Sequence, residues 1–313
     1  MLALLHVACY TFHMTTTDSL TSDHKGHPMD PALIEATELD RLAHPDGWAR
    51  WAAVAAHFPL FSARNHLMVL GQRPEAQLLL SPQQWRDVGR WPQRNAEPVR
   101  LWRSRPVRDG RGPRTPRMVG GWAPVFDVDQ TEGEPLILMP QPAAPATPGR
   151  APRGMAAALG ASAAGLGFTL HLRPVATGEY PQVDEGVRII TADPAGDDVN
   201  HCTALLLRIT TAAAGGTGIP VDYNDAVGAA AAAVVWATYH LPAPTAVRPD
   251  PGWGTDHQTL RTVLATATDL ARKITASLAA HAVGTSVAAA RDPLPPPPRP
   301  PALTSPVRSA AHV

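Results

Sequence analysis

Apolar residues recur at helical spacing over residues 31–57, which predicts a helical start to the folded part of the chain. Asp30 precedes Pro31, the pattern of an N-cap followed by a proline in the first turn. Two further helices are predicted after Ser62 and Ser81, because serine at an N-cap accepts a hydrogen bond from the first turn. The predicted core-facing residues of the region 31–57 are Ile34, Leu39, Leu42, Ala43, Trp51, Val54 and Ala55.

The pattern then changes to strands and loops. Residues 99–103 alternate apolar with basic side chains, as a half-exposed strand does. Residues 104–121 are rich in Arg, Pro and Gly and are predicted to form a mobile loop. Residues 122–128 follow as the next strand, with short strands also expected at 78–80 and 136–139.

The second half is predicted to be mainly helical. Apolar helices are expected at residues 200–214, 225–240 and 256–282, with a strand at 168–173 and an edge strand at 186–191. One face of the last helix is continuously apolar and should be buried. That face consists of Leu260, Val263, Leu264, Ala267, Leu270, Ile274 and Leu278.

These elements predict an α+β protein with two domains. An α+β domain at residues 31–140 is followed by a mainly helical domain at 156–283, and a linker rich in Pro and Ala at 141–155 joins them. We expect residues 1–30 to be a disordered arm. Residues 284–313 include a run of prolines and are expected to be a disordered tail that favours polyproline II.

Composition narrows the class of protein. The 313 residues carry 27 Lys+Arg and 27 Asp+Glu, so no whole-chain charge favours nucleic acid or a membrane. The two cysteines, Cys9 and Cys202, favour a reducing cytoplasm over a disulfide framework. No apolar run reaches the roughly 18 residues of a membrane span. The apolar first ten residues lack the basic start of a signal peptide, and Met14 is a more typical start for a soluble protein.

Positive charge is concentrated in one segment. Eleven arginines and four acidic residues lie between Arg73 and Arg117, a local charge of about +7. Four tryptophans are interleaved with them: Trp85, Trp91, Trp102 and Trp122. Arginines neutralise phosphates, and exposed indoles stack on unpaired bases, which duplex DNA hides. The combination predicts a single-stranded nucleic acid as partner. A basic surface loop above core tryptophans is the plainer alternative, and the helical phase of Trp85 favours it for that residue.

Four blocks within residues 58–131 agree in order and spacing with a known family pattern. They are an aromatic-Ser-x-x-Asn-x-x-Leu segment at residues 61–68, Gln-x-Pro at 72–74, Trp-x-x-x-Gly-Arg at 85–90 and Val-Phe-Asp-x-x-Gln-Thr at 125–131. On these blocks the chain resembles the N-terminal domain of ArdC-type antirestriction proteins, which are carried on plasmids and other mobile elements. Met68 departs from the pattern, which has Leu, and the stretch after Arg90 lacks the lysines and glycines that are usual there.

The resemblance implies an ArdC-like α+β fold, binding of single-stranded DNA and protection of incoming DNA from restriction enzymes. Restriction or other DNA-processing proteins are then further partners. The predicted nucleic-acid-binding residues are Phe61, Ser62, Asn65, Gln72, Trp85, Arg90, Trp91, Arg94, Arg100, Trp102, Arg103, Phe126, Gln130 and Thr131. Among them we expect Arg90, Arg100 and Arg103 to contact phosphates, and Trp91 and Trp102 to stack on bases. The three motif amides have a structural alternative, as buried groups that satisfy the backbone.

Proteins of this family often carry a second domain that looks like a zinc metallopeptidase, with a His-Glu-x-x-His helix that holds zinc and activates water. The corresponding residues 206–210 here are Leu-Leu-Arg-Ile-Thr. We therefore expect a degenerate zincin-like domain without metal, cofactor or peptidase activity. A rearranged site built from His201, Cys202 and His240 is one alternative, and a protein-interaction scaffold is another.

Overall fold

The structure is a computed structural model of the chain. It describes residues 30–107, 117–136, 150–172, 182–184, 188–192, 198–241, 256–281 and 283. The predicted N-terminal arm, most of the predicted linker, the strand expected at 136–139 beyond its first residue, and the C-terminal tail lie outside these residues.

The front half combines helices with short antiparallel strands. Its helices are α1 (Pro31–Arg41), α2 (Pro45–His57), α3 (Ala63–Gln72) and α4 (Pro82–Asp87). Its strands are β1 (Leu79–Leu80), β2 (Arg90–Pro92), β3 (Val99–Val107), β4 (Arg117–Asp127) and β5 (Thr131–Gly133). A 3-10 helix, Val128–Gln130, joins β4 to β5.

The region expected as helix at residues 31–57 is two helices with a tight corner between them. α1 ends at Arg41 and Pro45 begins α2. A Cβ added to Gly47 would lie 2.1 Å from the Arg41 carbonyl oxygen, so only glycine allows the two backbones to approach this closely.

The helix N-caps predicted in the front half, Asp30, Ser62 and Ser81, are confirmed. The Asp30 carboxylate accepts a hydrogen bond from the Ala32 N–H at 2.9 Å, and the Ser62 hydroxyl oxygen accepts one from the Asn65 N–H at 3.3 Å. Ser81 forms a reciprocal capping box with Gln84. Local sequence therefore fixes where these helices start.

β3 and β4 form the long hairpin of the front half. β4 lies between β1 and β3 in an antiparallel sheet, and the β3–β4 pairing is regular from Val99↔Val125 to Val107↔Arg117. The prediction of a mobile loop at residues 104–121 is therefore wrong at both ends, since β3 continues to residue 107 and β4 begins at residue 117. β3 is an edge strand, the position where a sheet accommodates a proline such as Pro106.

The rear half consists of four helices and a small mixed sheet in the part that the structure describes. The helices are α5 (Met155–Gly165), α6 (Val199–Ala214), α7 (Asn224–Thr238) and α8 (His257–Ala280). The strands are β6 (Thr169–Leu172), β7 (Gln182–Asp184) and β8 (Ile189–Ala192). Their order is β6-β8-β7, so the strand expected at the edge is in fact central, because β7 adds to its other side.

The two halves share a continuous apolar core. α7 packs against α2, and α8 packs against α1 and α3. Trp51 on α2 and Trp236 on α7 are both fully buried, and the predicted apolar face of α8 is buried along its whole length. The architecture is mixed α and β, as expected. Among the described helices none is long and apolar enough to cross a membrane.

Candidate nucleic-acid interface

Two motif amides attach α3 to the free edge of β3. The Asn65 side chain donates to the Trp102 carbonyl at 3.0 Å and accepts from the Trp102 N–H at 2.8 Å. The Gln72 side chain pairs with Arg100 in the same way, at 3.1 and 2.9 Å. An edge strand otherwise presents unpaired backbone groups, and these amides satisfy them at two alternate residues. In this structure both amides therefore bind protein backbone, which is the structural alternative to nucleic-acid binding for the motif amides.

A buried carboxylate organises the end of β4. The Asp127 Oδ1 atom accepts hydrogen bonds from the N–H groups of Gln77, Leu78 and Val128, at 2.9, 2.9 and 2.8 Å. The Arg73 guanidinium also reaches Asp127 Oδ2, at 3.4 Å. Because several donors converge on it, this carboxylate holds the segment before β1 against the 3-10 helix.

The last two motif residues are also turned inward. The Gln130 side chain donates to the Glu97 carbonyl at 2.7 Å and accepts from the Asp127 N–H at 2.9 Å. The Thr131 hydroxyl donates to the Val128 carbonyl at 2.8 Å. Both residues are buried, so their polar atoms hold the turn between β4 and β5 together.

Trp85 cannot stack on a base, which corrects its place in the predicted binding set. Its side chain has no exposed surface, and its indole N–H donates to the Phe126 carbonyl at 2.9 Å. The indole thereby joins α4 to β4 as a core residue, as its helical phase favours. Phe126 itself is half-buried and contributes this carbonyl oxygen.

Arg90 also differs from its expected role as a phosphate ligand. Its Nε donates to the Thr131 hydroxyl at 2.9 Å, and its terminal nitrogens donate to the carbonyls of Thr131 at 2.7 Å and Glu134 at 2.6 Å. The guanidinium carbon lies 5.9 Å from the Trp85 ring centroid. Because protein oxygens accept hydrogen bonds from its N–H groups, the Arg90 side chain stabilises the end of β5 in this structure.

The first motif block packs within the protein. The Phe61 ring stacks on Phe58, with centroids 5.1 Å apart and planes 5° from parallel. The Phe61 carbonyl accepts a hydrogen bond from Arg272 of α8 at 3.2 Å. The hydroxyl of Ser62 is engaged as the N-cap described above. These contacts fix the entry into α3.

Arg100 and Arg103 do not share a surface. The regular strand register places Arg100 on the face opposite the buried Val99 and Leu101, whereas Arg103 lies on the same face as those two. Burial lowers the pKa of the Arg103 guanidinium. The structure therefore separates two arginines that the sequence places in one phosphate-binding group.

Trp102 belongs to an aromatic and cationic cluster on the outer face of the hairpin, which is the face opposite the buried Val99 and Leu101. It lies directly opposite Trp122, with ring centroids 5.2 Å apart at 75°. The Arg64 guanidinium carbon is 4.7 Å from the Trp102 ring and 5.0 Å from the Trp122 ring. Glu35 holds this arginine through a 3.0 Å bond to Nε, and its second oxygen accepts from Arg261 Nε at 2.7 Å.

Trp91 and Arg94 are the members of the predicted set that face solvent most clearly. The Trp91 side chain on β2 is 53% exposed, and Arg94 is exposed in the turn that follows. Glu132 lies directly opposite Trp91 in the pairing with β5. An exposed indole with an exposed guanidinium three positions away fits a base and its phosphate.

The sequence did not single out Arg64, and it placed Trp122 only among the interleaved tryptophans. Arg64 occupies an unspecified position of the first motif block, and its ring partners Trp102 and Trp122 are 38 and 58 residues further along the chain. A possible signal was the tryptophan at equivalent places in both strands of a hairpin, since directly opposed residues contact each other.

The rear half holds no cluster of three potential metal ligands among its described residues. Residues 206–210 lie within α6, where Leu206 and Ile209 are fully buried. Cys202 is buried in the core, and His201 is on the same helix.

Comparison with known proteins gives structural neighbours only. No protein-family model and no curated protein sequence matches the chain. The chain is similar to the metal-free crystal structure of the antirestriction protein ArdC from the R388 plasmid, with a TM-score of 0.48, 12% identity and coverage of 70% of this chain and 85% of that one. For the Mn(II)-bound structure of the same protein, the TM-score is 0.45, the identity 14% and the coverage 71% and 88%. Likeness at this level assigns no role to any residue.

Proposed function

We propose that the protein binds single-stranded DNA and acts as an ArdC-like antirestriction protein in the cytoplasm. The resemblance of the four motif blocks motivates the proposal. The observation that carries it is the exposed indole of Trp91, 53% accessible, with the exposed Arg94 three positions later in the chain. An indole left in water contributes little to folding, whereas an unpaired base stacked on it would remove that apolar surface from water.

The chemistry of the proposed site follows from its two components. Trp91 offers a ring face to one base, and Arg94 offers a charge to a neighbouring phosphate. Stacking tolerates any base, and the phosphate contact ignores sequence, so binding should be general for single strands and weak for duplexes. Restriction or other DNA-processing enzymes are the proposed competitors or partners on that DNA.

The test is the affinity of a labelled oligothymidylate at two salt concentrations, with a duplex of equal length for comparison. Trp91→Ala should weaken binding about tenfold, since a stacked base contributes roughly 1–3 kcal/mol. Arg94→Ala should weaken it and reduce the salt dependence by about one phosphate contact. Arg208→Ala, an exposed arginine on α6, is the control and should bind like the wild type. Equal affinity for all four proteins would contradict the proposal.

We also infer that the rear half lacks peptidase activity. The support is the stretch 206–210 on α6, in which Leu206, Ile209 and Thr210 are buried and which offers neither a histidine nor a general base. Stoichiometric zinc in the purified protein would overturn this inference.

A further inference from the structure

The outer face of the β3–β4 hairpin carries a built arrangement of aromatic and cationic groups. Trp102 and Trp122 meet edge to face, and the Trp102 ring lies over Gly120, where an added Cβ would be 2.2 Å from a ring carbon. Both tryptophans are half-buried, and Asn65 fixes the backbone of Trp102. The rings are thus held in place by the fold.

Arg64 lies over both rings and retains free donors. Its Nε is bonded to Glu35, and its terminal nitrogens make no hydrogen bond to any residue that the structure describes. A guanidinium stacked on an aromatic ring keeps its in-plane N–H groups available, and two such groups side by side match the oxygens of a phosphate.

The charges around this group favour an anion. Glu35 is buried and accepts from both Arg64 and Arg261, so the three side chains together carry one net positive charge. Arg100 is on the same face of the hairpin as Trp102 and adds a second. A phosphate at the terminal nitrogens of Arg64 would meet this excess charge directly.

We propose that Arg64, with Trp102, Trp122 and Arg100, is a second contact surface for single-stranded DNA, in which Arg64 binds a phosphate and Glu35 positions Arg64. This inference rests on the proposed function and extends it to a surface whose key arginine the sequence did not indicate. The alternative is that the cluster only joins α1, α3, α8 and the hairpin.

Arg261 provides a matched control for that alternative. Both arginines bond to the same Glu35 carboxylate through Nε, and their side chains are similarly exposed, at 37% for Arg64 and 42% for Arg261. Only Arg64 lies over the tryptophans. A purely structural role predicts that both substitutions affect binding alike, whereas a contact role predicts that the loss of Arg64 weakens binding more and is the only one of the two that lowers its salt dependence.

The experiment measures oligothymidylate affinity of the full chain across a salt series. Arg64→Ala should weaken binding about tenfold and lower the slope of log affinity against log salt by about 0.7, the value for one phosphate contact on a single strand. Arg261→Ala removes a nearby positive charge but no phosphate contact, so it should weaken binding less than about threefold and leave the slope unchanged. Arg64→Lys keeps the positive charge and replaces Arg64→Ala in the experiment if that variant fails to fold. It should bind about threefold more weakly, because an ammonium lacks the planar fork.

The outcomes separate the two proposals. The Arg64 surface would be ruled out by equal effects of Arg64→Ala and Arg261→Ala, or by wild-type affinity in a folded Arg64 variant. The Trp91→Ala variant would still test the Trp91 site independently. Absence of oligonucleotide binding by the wild type would overturn both.

Discussion

His66 on α3 has no exposed surface, and its Nε2 lies 2.9 Å from the Phe58 carbonyl oxygen. Burial lowers the pKa of this imidazole from 6.5 to about 4, so the folded protein holds it neutral. Between these values the unfolded chain binds a proton that the folded chain excludes. The stability that depends on neutral His66 is therefore complete above pH 6.5, declines as the pH falls, and is lost by about pH 4.

This difference can be measured as the pH dependence of the free energy of unfolding. His66→Gln keeps a donor for the Phe58 carbonyl but cannot titrate. Between pH 7 and pH 4, the free energy of unfolding of the variant should fall by up to about 3 kcal/mol less than that of the wild type. The reason is that each pKa unit corresponds to about 1.4 kcal/mol. His171→Gln, at an exposed position on β6, should follow the wild-type curve. Parallel curves for all three proteins would rule out a depressed pKa at His66.

At the scale of elements, the attachment of α3 to β3 depends on side-chain amides. Asn65 spans the N–H and the carbonyl of Trp102, and replacing it leaves two backbone groups at the strand edge without partners. Such a loss costs about 1–3 kcal/mol per buried group. The same element carries Arg64, so the geometry of the hairpin face and the stability of α3 are linked.

Asn65→Ala is expected to lower the free energy of unfolding by about 2–4 kcal/mol, from two lost hydrogen bonds. Asn65→Asp has the same shape and can accept from the Trp102 N–H, but it cannot donate to the carbonyl. It should also destabilise the protein, and the more so at neutral pH, where a carboxylate faces that carbonyl oxygen. Chemical denaturation at pH 7 gives both values. A fully stable Asn65→Asp protein would show that the donor bond contributes nothing.

Helices and their starts could be predicted from sequence because their signals are local. Asp30, Ser62 and Ser81 each act within one helical turn, and the apolar face of α8 repeats along a single element. The extent of β3 and β4 could not, because backbone pairing across the hairpin holds residues 104–107 that look like loop by composition. The role of Arg90 could not be predicted either, since its partner Thr131 lies 41 residues away. The helical phase of Trp85 indicated its burial but not its hydrogen bond to Phe126, which is 41 residues away.

At the scale of the whole molecule, polar contacts from α8 reinforce the shared core. Arg261 bonds to Glu35 of α1, and Arg272 donates to the Pro59 and Phe61 carbonyls at 3.1 and 3.2 Å. These contacts join elements that the sequence assigns to separate domains. The boundary expected near residues 141–155 follows composition, which carries no information about packing between distant helices.

The shared core predicts that the chain unfolds as one cooperative unit. Scanning calorimetry should give a single transition whose calorimetric and van't Hoff enthalpies agree, because neither half can lose its helices without exposing the apolar surface of the other. Trp236→Ala, which removes a fully buried side chain from α7, should lower that transition temperature without splitting it. Two separate transitions would instead support independent domains.

The hydrogen bonds between motif blocks bear on how such proteins are traced through evolution. Asn65, Gln72, Asp127 and Gln130 bind backbone groups of neighbouring segments, so selection for a folded chain is enough to preserve them. The four blocks by themselves are therefore evidence of a shared fold and not of DNA binding. Under the proposed function, it is solvent-facing residues such as Trp91 whose substitution would remove DNA binding and leave the fold intact.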